Sequence, residues 1–133
     1  MQDYIEQLIE KARTARELSY APYSGFTVGA ALLAKSGKVY TGCNVENASF
    51  GVTNCAERTA LFKAVSEGER EFISIAIVGG KDGKVGDFCY PCGVCRQALS
   101  EFTDISFKIL LKNGDGDVIS TTLYDLLPNA FDL

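Results

Sequence analysis

The sequence predicts an α/β fold, a three-layer α/β/α sandwich with a central mixed sheet of about five strands. Three observations carry that expectation. An amphipathic segment opens the chain, with Ile5, Leu8, Ile9 and Ala12 at helical spacing. Two apolar runs then flank Lys35-Ser36-Gly37, the pattern of an antiparallel hairpin. Beyond the hairpin, helical and strand patterns alternate to the C-terminus, which places helices on both faces of a mixed sheet.

Taken in order, residues 2–18 form the first helix, charged on one side and apolar on the other. A loop at 19–25 follows, with Pro22 and Gly25 as breakers. Residues 26–34 read as a buried strand, and 38–43 as its hairpin partner. Thr53 or Asn54 is the expected cap of a second helix that runs to about Ser66 and stops at Gly68. The run 72–78 is almost wholly apolar, as a strand buried on both faces should be. A loop over 79–87 leads to a helix from about Cys92 to Phe102. Strands at 106–111 and 118–121 and a short helix at 123–127 complete the chain. No linker or repeat divides it, so residues 1–133 are expected to be one domain.

Composition narrows the chemistry. The 133 residues are 47% hydrophobic and 23% charged, enough to form a real core, and the net charge is −4. An acidic chain is a poor match for a nucleic acid polymer and a better one for a small-molecule partner. The first seventeen residues carry charges throughout and do not read as a signal peptide. No apolar run approaches the ~20 residues needed to span a bilayer. A cytoplasmic protein is expected. Five cysteines, an odd number, argue against a disulfide framework in that setting. Histidine is absent, so a transition-metal site must be built from thiolates and carboxylates, and Ser-His-Asp or Cys-His catalysis is excluded.

Two segments concentrate the reactive groups. In Asn54-Cys55-Ala56-Glu57-Arg58, a thiolate at the opening of a helix meets free N–H groups and the positive dipole end. Glu57 falls in line with Leu61, Ala64 and Val65, so a carboxylate is directed along the apolar stripe. A plain capping acid in the first turn is the alternative. In Pro91-Cys92-Gly93-Val94-Cys95, the two thiols share one helical face. Half a zinc site, a redox pair and two buried small residues all remain open for that motif alone. Together, Cys55, Cys92 and Cys95 supply three ligands and leave a fourth coordination position open, the arrangement of catalytic zinc rather than structural zinc. Glu57 is then within reach of a water at that open position, as a proton carrier. Arg58, three residues after Cys55, is expected to donate to the ligating sulfurs and offset their charge, a solvated surface arginine being the alternative.

Cys-Ala-Glu followed by Pro-Cys-x-x-Cys resembles the zinc nucleoside and nucleobase deaminase signature. Over nearly its whole length the chain resembles the small homotetrameric cytidine deaminases. The matching blocks are 20–32 (YAPYSGFTVGAAL), 42–48 (GCNVENA), 55–60 (CAERTA), 91–97 (PCGVCRQ) and 126–128 (LLP). The resemblance implies the cytidine deaminase-like fold, one Zn2+ per subunit and hydrolytic deamination of cytidine and 2′-deoxycytidine in pyrimidine salvage. It also implies roles that spacing alone does not assign. Asn44 and Glu46 match the ribose-binding pair, Phe26 the aromatic that packs on the pyrimidine, and the backbone near Ala56 the groups that read the base edge. Phe131 corresponds to an aromatic that reaches a neighbouring subunit's site. Three positions depart from the pattern. Phe50 stands where tyrosine is usual, Tyr90 where a small residue is usual, and Cys89 adds a thiol at Cys-x-x-Cys spacing with Cys92. Cys43 and Cys89 are expected to be buried or idle. A deaminase of a nucleoside antibiotic, a noncatalytic zinc module and a redox dithiol protein are the rival readings. Turnover of cytidine, ammonia release from the zinc-loaded protein and zinc retention under mild oxidation separate them.

Overall fold

The computed structural model describes residues 2–133. The first helix, α1 (Gln2–Ala15), is followed by one tight turn at Arg16–Leu18. Strands β1 (Phe26–Ala34) and β2 (Val39–Cys43) form the expected hairpin, with Gly29 opposite Cys43 and Leu33 opposite Val39. Then come α2 (Ala56–Ser66), β3 (Phe72–Lys81), α3 (Gly93–Ser100), β4 (Lys108–Lys112), β5 (Val118–Thr122) and α4 (Leu123–Leu126). The five strands form one sheet in the order β2-β1-β3-β4-β5. Only β3 and β4 run parallel, and α3 makes the crossover between them.

Alternation along the strands divides the core into two layers. Val28, Ala30, Leu32 and Ala34 of β1 pack with Ile75, Ile77, Ile109 and Leu111 against Ala56, Ala60, Leu61 and Ala64 of α2 and Leu99 of α3. The intervening residues Ala31, Ala76, Val78 and Leu110 face the other way, onto Leu8, Ile9 and Ala12 of α1. A strand that is apolar at every position is therefore one that serves two helical layers. The sandwich expected from the sequence is the one observed.

Several boundaries differ: α1 ends at Ala15 and β4 spans Lys108–Lys112, and the ends of α2 and β3 shift for tertiary reasons. Thr53 and Asn54 do not cap α2; Cys55 does, with the helix starting at Ala56. Asn54 is instead drawn into a backbone pair with Val45, its N–H and C=O both bonded at 2.9 Å. Thr53 Oγ1 accepts from Asn47 N–H at 3.1 Å. Strand β3 runs to Lys81 rather than stopping at Val78, because Phe26 at the start of β1 pairs with Lys81. The helix expected from Cys92 to Phe102 is shorter, with Cys92 as its cap.

The packing converges on one end of the sheet. There β1 begins, β2 ends, the parallel strands β3 and β4 end, and both α2 and α3 begin. Ligands of open α/β sheets bind outside the carboxyl ends of the parallel strands, which is this end. Gly42 sets how closely α2 lies on β2. A Cβ there would come within 2.5 Å of Ala60 N and 2.6 Å of the Ala56 carbonyl oxygen. Only glycine lets the first turn of α2 sit this near the sheet.

Candidate active site

Cys55 and Cys92 cap their helices from extended backbone, each at the positive end of its dipole. Cys92 Sγ accepts from Cys95 N–H at 3.4 Å, which turns Cys95 in the next turn towards the same point. The Sγ atoms of Cys55, Cys92 and Cys95 all lie within 4.8 Å of one another, and Cys55 and Cys92 are 3.8 Å apart. A tetrahedral zinc with Zn–S bonds of ~2.3 Å holds its sulfurs about 3.8 Å from each other, so the spacing fits that ion. Three soft donors with no imidazole also favour zinc over harder cations. Among the described residues this is the one cluster of Cys, Asp and Glu able to hold a metal.

The three sulfurs differ in environment. Hydrogen bonding from Cys95, helped by Arg58 and Cys92 and opposed by burial, lowers the Cys55 thiol to about 5. Cys95, fully buried, is pushed up by the same bond to Cys55 and by burial. The pair shares a proton that a metal bound by both sulfurs would displace. Arg58 Nη2 donates to Cys55 Sγ at 3.5 Å, so the guanidinium faces the sulfurs rather than solvent. Its Nε is buried and has no partner of its own.

Glu57 lies behind the thiols at 4% exposure, on the stripe that continues through Leu61 and Ala64. Burial raises its carboxyl to about 7, opposed by its own backbone N–H and by the Cys95 thiol. A carboxyl balanced near neutrality is suited to take and return a proton.

A cleft of about 250 Å3 opens beside this cluster. Cys55, Ala56, Glu57 and Cys92 line one side, and Phe26, Val28, Asn44 and Glu46 the other. The two sides are stitched together by backbone. Tyr20 bonds Asn44 C=O and Glu46 N–H, at 3.0 and 2.8 Å, while Val45 pairs with Asn54. Asn44 Oδ1 accepts from Val28 N–H and its Nδ2 donates to the Phe26 carbonyl, each at 2.8 Å. Glu46 Oε1 accepts from Tyr23 N–H at 2.9 Å and Ser24 N–H at 3.2 Å, and Oε2 is bonded by the Ser24 hydroxyl. That hydroxyl and those amides hold the Glu46 carboxyl below the usual range, against some burial. Phe26 remains 40% exposed, with its ring available to the cleft.

Of the residues singled out from the sequence, the metal trio, Glu57, Phe26, Asn44, Glu46 and Ala56 meet here, with Arg58 behind them. Phe131 does not. It is 68% exposed, outside the cleft, with its carbonyl held by Gln97 Nε2 at 3.3 Å. Cys89 and Tyr90 do line the cleft. Burial pushes the Cys89 thiol up to about 12, so it stays a neutral wall of the cavity. Ser24 also lines the cleft and was not singled out by the sequence. The available signals are its place in the matching block 20–32 and two residues before Phe26, in a loop without periodicity.

The model of the cytidine and deoxycytidylate deaminase zinc-binding region matches residues 2–110. A cytidine deaminase of Sporosarcina psychrophila is 51% identical over 96% of this chain and 90% of its own length. One from Halalkalibacterium halodurans is 52% identical over 95% of this chain and 92% of its own. The crystal structure of cytidine deaminase from Burkholderia pseudomallei superposes with a TM-score of 0.87, at 52% identity, over 95% of this chain and 98% of that one. With that match over most of its length, and the three thiols and buried carboxylate where a zinc deaminase needs them, the chain belongs to the cytidine and deoxycytidylate deaminase zinc-binding family.

Proposed function

We propose that this chain catalyses hydrolytic deamination of cytidine and 2′-deoxycytidine, giving uridine and 2′-deoxyuridine and releasing ammonia. The observation that carries the reading is one cleft, beside a trio of thiols, that is lined by two of them, by a buried carboxyl near neutral pKa, and by an exposed aromatic beside an amide–carboxylate pair. Cys55, Cys92 and Cys95 would hold one Zn2+ per subunit, and bound there it supplies Lewis-acid activation of water.

The chain's own groups account for the rest. Phe26 packs on the pyrimidine, and Asn44 and Glu46 take the sugar hydroxyls with the hydrogen-bonding capacity left over from their backbone contacts. The backbone at Ala56, the first residue of α2, reads the base edge. Glu57 takes a proton from the attacking water and delivers it to N3 of the base. Once the water oxygen has added at C4, its remaining proton passes to Glu57 and from there to the departing amine as the C4–N bond breaks. Arg58 offsets the charge of three thiolates. The carboxylate of Glu46 repels a 3′- or 5′-phosphate, which favours a free nucleoside over a nucleotide or a polymer.

The single domain is read as spanning 1–133, in a cytoplasmic protein of pyrimidine salvage. No helix among the described residues is long and apolar enough to cross a membrane. A homotetramer is proposed, with Phe131, exposed on its own subunit, contributing to a neighbouring subunit's site. Metal analysis coupled to a cytidine assay tests the reading. One zinc per chain with stoichiometric release of ammonia and uridine is expected. Zinc-loaded protein that released no ammonia would leave a noncatalytic zinc module in its place.

A further inference from the structure

The hydroxyl of Ser24 joins the two substrate-facing elements of the cleft. It donates to Glu46 Oε2 and accepts the Phe26 backbone N–H at 3.0 Å. Phe26 N–H, Ser24 Oγ–H and Glu46 Oε2 therefore form one hydrogen-bonded relay between the aromatic and the carboxylate. Ser24 is itself in the wall of the cleft.

Counting capacity shows what the relay does. A carboxylate offers about four lone-pair sites. Glu46 Oε1 spends two on the Tyr23 and Ser24 amides, and Oε2 spends one on the Ser24 hydroxyl. One site on Oε2 is left for a ligand, and the hydroxyl decides which one it is. The two amide bonds restrain Oε1 alone, so without the hydroxyl both lone pairs of Oε2 are free and the carboxylate can rotate about them. Ser24 also satisfies the N–H of Phe26, whose C=O is held by Asn44. Both backbone groups of Phe26 thus answer to the residues that face the sugar.

We infer that Ser24 is a positioning residue for sugar recognition, aiming the free lone pair of Glu46 at a hydroxyl of the nucleoside. The inference rests on the reading of Glu46 as a sugar-binding group. It is distinct from the zinc and proton chemistry, since Ser24 touches neither.

Zinc-loaded wild type, Ser24→Ala and Ser24→Thr would be compared on cytidine and on 2′,3′-dideoxycytidine, which lacks both ring hydroxyls. Thermal melting and zinc content serve as controls. Losing one hydrogen bond to a charged group is worth roughly tenfold or more in affinity. Ser24→Ala should therefore raise KM for cytidine about tenfold, with the larger part of the change in KM rather than kcat. It should leave dideoxycytidine within about twofold of wild type. Ser24→Thr, which keeps the hydroxyl, should restore most of the loss. An equal penalty on both substrates, or no penalty on cytidine, overturns the assignment, the first pointing to displacement of Phe26. If wild type turns over neither substrate, the deaminase reading fails separately. Ser24 is then judged on uridine binding by calorimetry, where an unchanged Kd in Ser24→Ala overturns it and a tenfold weaker one sustains it.

Discussion

Glu46 and Glu57 share one cleft, and their surroundings push them in opposite directions. Burial lifts Glu57 to about 7, whereas the Ser24 hydroxyl and two backbone amides hold Glu46 low. Environments that drive two carboxyls apart assign them different work. Glu57 can carry a proton at neutral pH; Glu46 stays ionised and can only accept hydrogen bonds. The same division runs through their neighbours. The metal side is built from helix starts, with Cys95 and Glu57 buried, Cys55 half-buried, Cys92 exposed and Arg58 Nε left unpartnered. The side proposed to meet the sugar is built from a strand end and a loop, exposed or half-buried, with most of its polar capacity already met by its own chain. A site with few, under-satisfied partners stands or falls on single side chains; a well-satisfied surface site degrades gradually.

That contrast predicts the largest losses on the metal side. Cys55→Ala should abolish zinc binding and activity together and lower the melting temperature of the zinc-loaded protein, because metal binding and folding are coupled. Metal analysis beside a melting curve checks this, and a variant that kept one zinc per chain would remove Cys55 from the ligand set. Glu57→Gln should keep zinc and fold yet lose about 10²–10⁴-fold in kcat, the range of general acid–base catalysis. Activity within tenfold of wild type would mean that another group carries the proton.

An intermediate effect tests whether the metal side depends on how α2 is seated. Gly42→Ala puts a methyl 2.5 Å from Ala60 N and 2.6 Å from the Ala56 carbonyl oxygen, both main-chain atoms unable to move aside alone. Overpacking of this kind costs roughly 1–3 kcal/mol. Because α2 carries Cys55, Ala56 and Glu57, activity should fall along with stability. Chemical denaturation and kcat together decide it. Lost stability with full activity would show that α2 can shift without disturbing the site.

How far the sequence foretold each side follows the same line. The sandwich was legible because its signals are local: apolar spacing in α1, the two runs around Lys35-Ser36-Gly37, and the apolar block of β3. Cys55, Cys92 and Cys95 were legible as thiols at helix starts, and Glu57 as an acid on an apolar stripe. Spacing alone assigns Asn44, Glu46 and Phe26 no role, and their grouping comes through family resemblance. Ser24 lies in the same matching block as Phe26 but carries no assigned role there, since its partners Glu46 and Phe26 meet it only through the fold. The cap of α2 is Cys55 rather than Thr53 or Asn54 for a like reason. Asn54 is good capping chemistry, but its backbone is claimed by Val45, a contact no local pattern reports. Cys89, expected to be buried or idle, is a half-buried thiol kept neutral by burial, and it lines the cleft because the 82–92 connection returns there.

The smallest expected effect lies on the sugar side and is one of pH. The folded state holds the Glu46 carboxyl below its ordinary value of 4.5, first through the Ser24 hydroxyl and then through the Tyr23 and Ser24 amides. A carboxyl lowered on folding binds fewer protons in the native state than in the unfolded chain. The stability it contributes is therefore fully present above 4.5 and is lost as pH falls through the lower native value. Glu46→Gln removes the titration and keeps the shape. Its amide oxygen can still accept from the two N–H groups. Wild type should thus lose more melting temperature than Glu46→Gln as pH drops from neutrality to about 3, and the two curves should converge in the acid limb. Other lowered carboxyls, including Glu69 and Asp104, titrate alike in both proteins and cancel in the difference. Because Glu46 is near the surface, added salt should narrow the gap. Parallel melting curves across this range would mean that its hydrogen bonds to the 23–24 loop do not persist in solution, and Ser24 would lose its hold on the carboxylate with them.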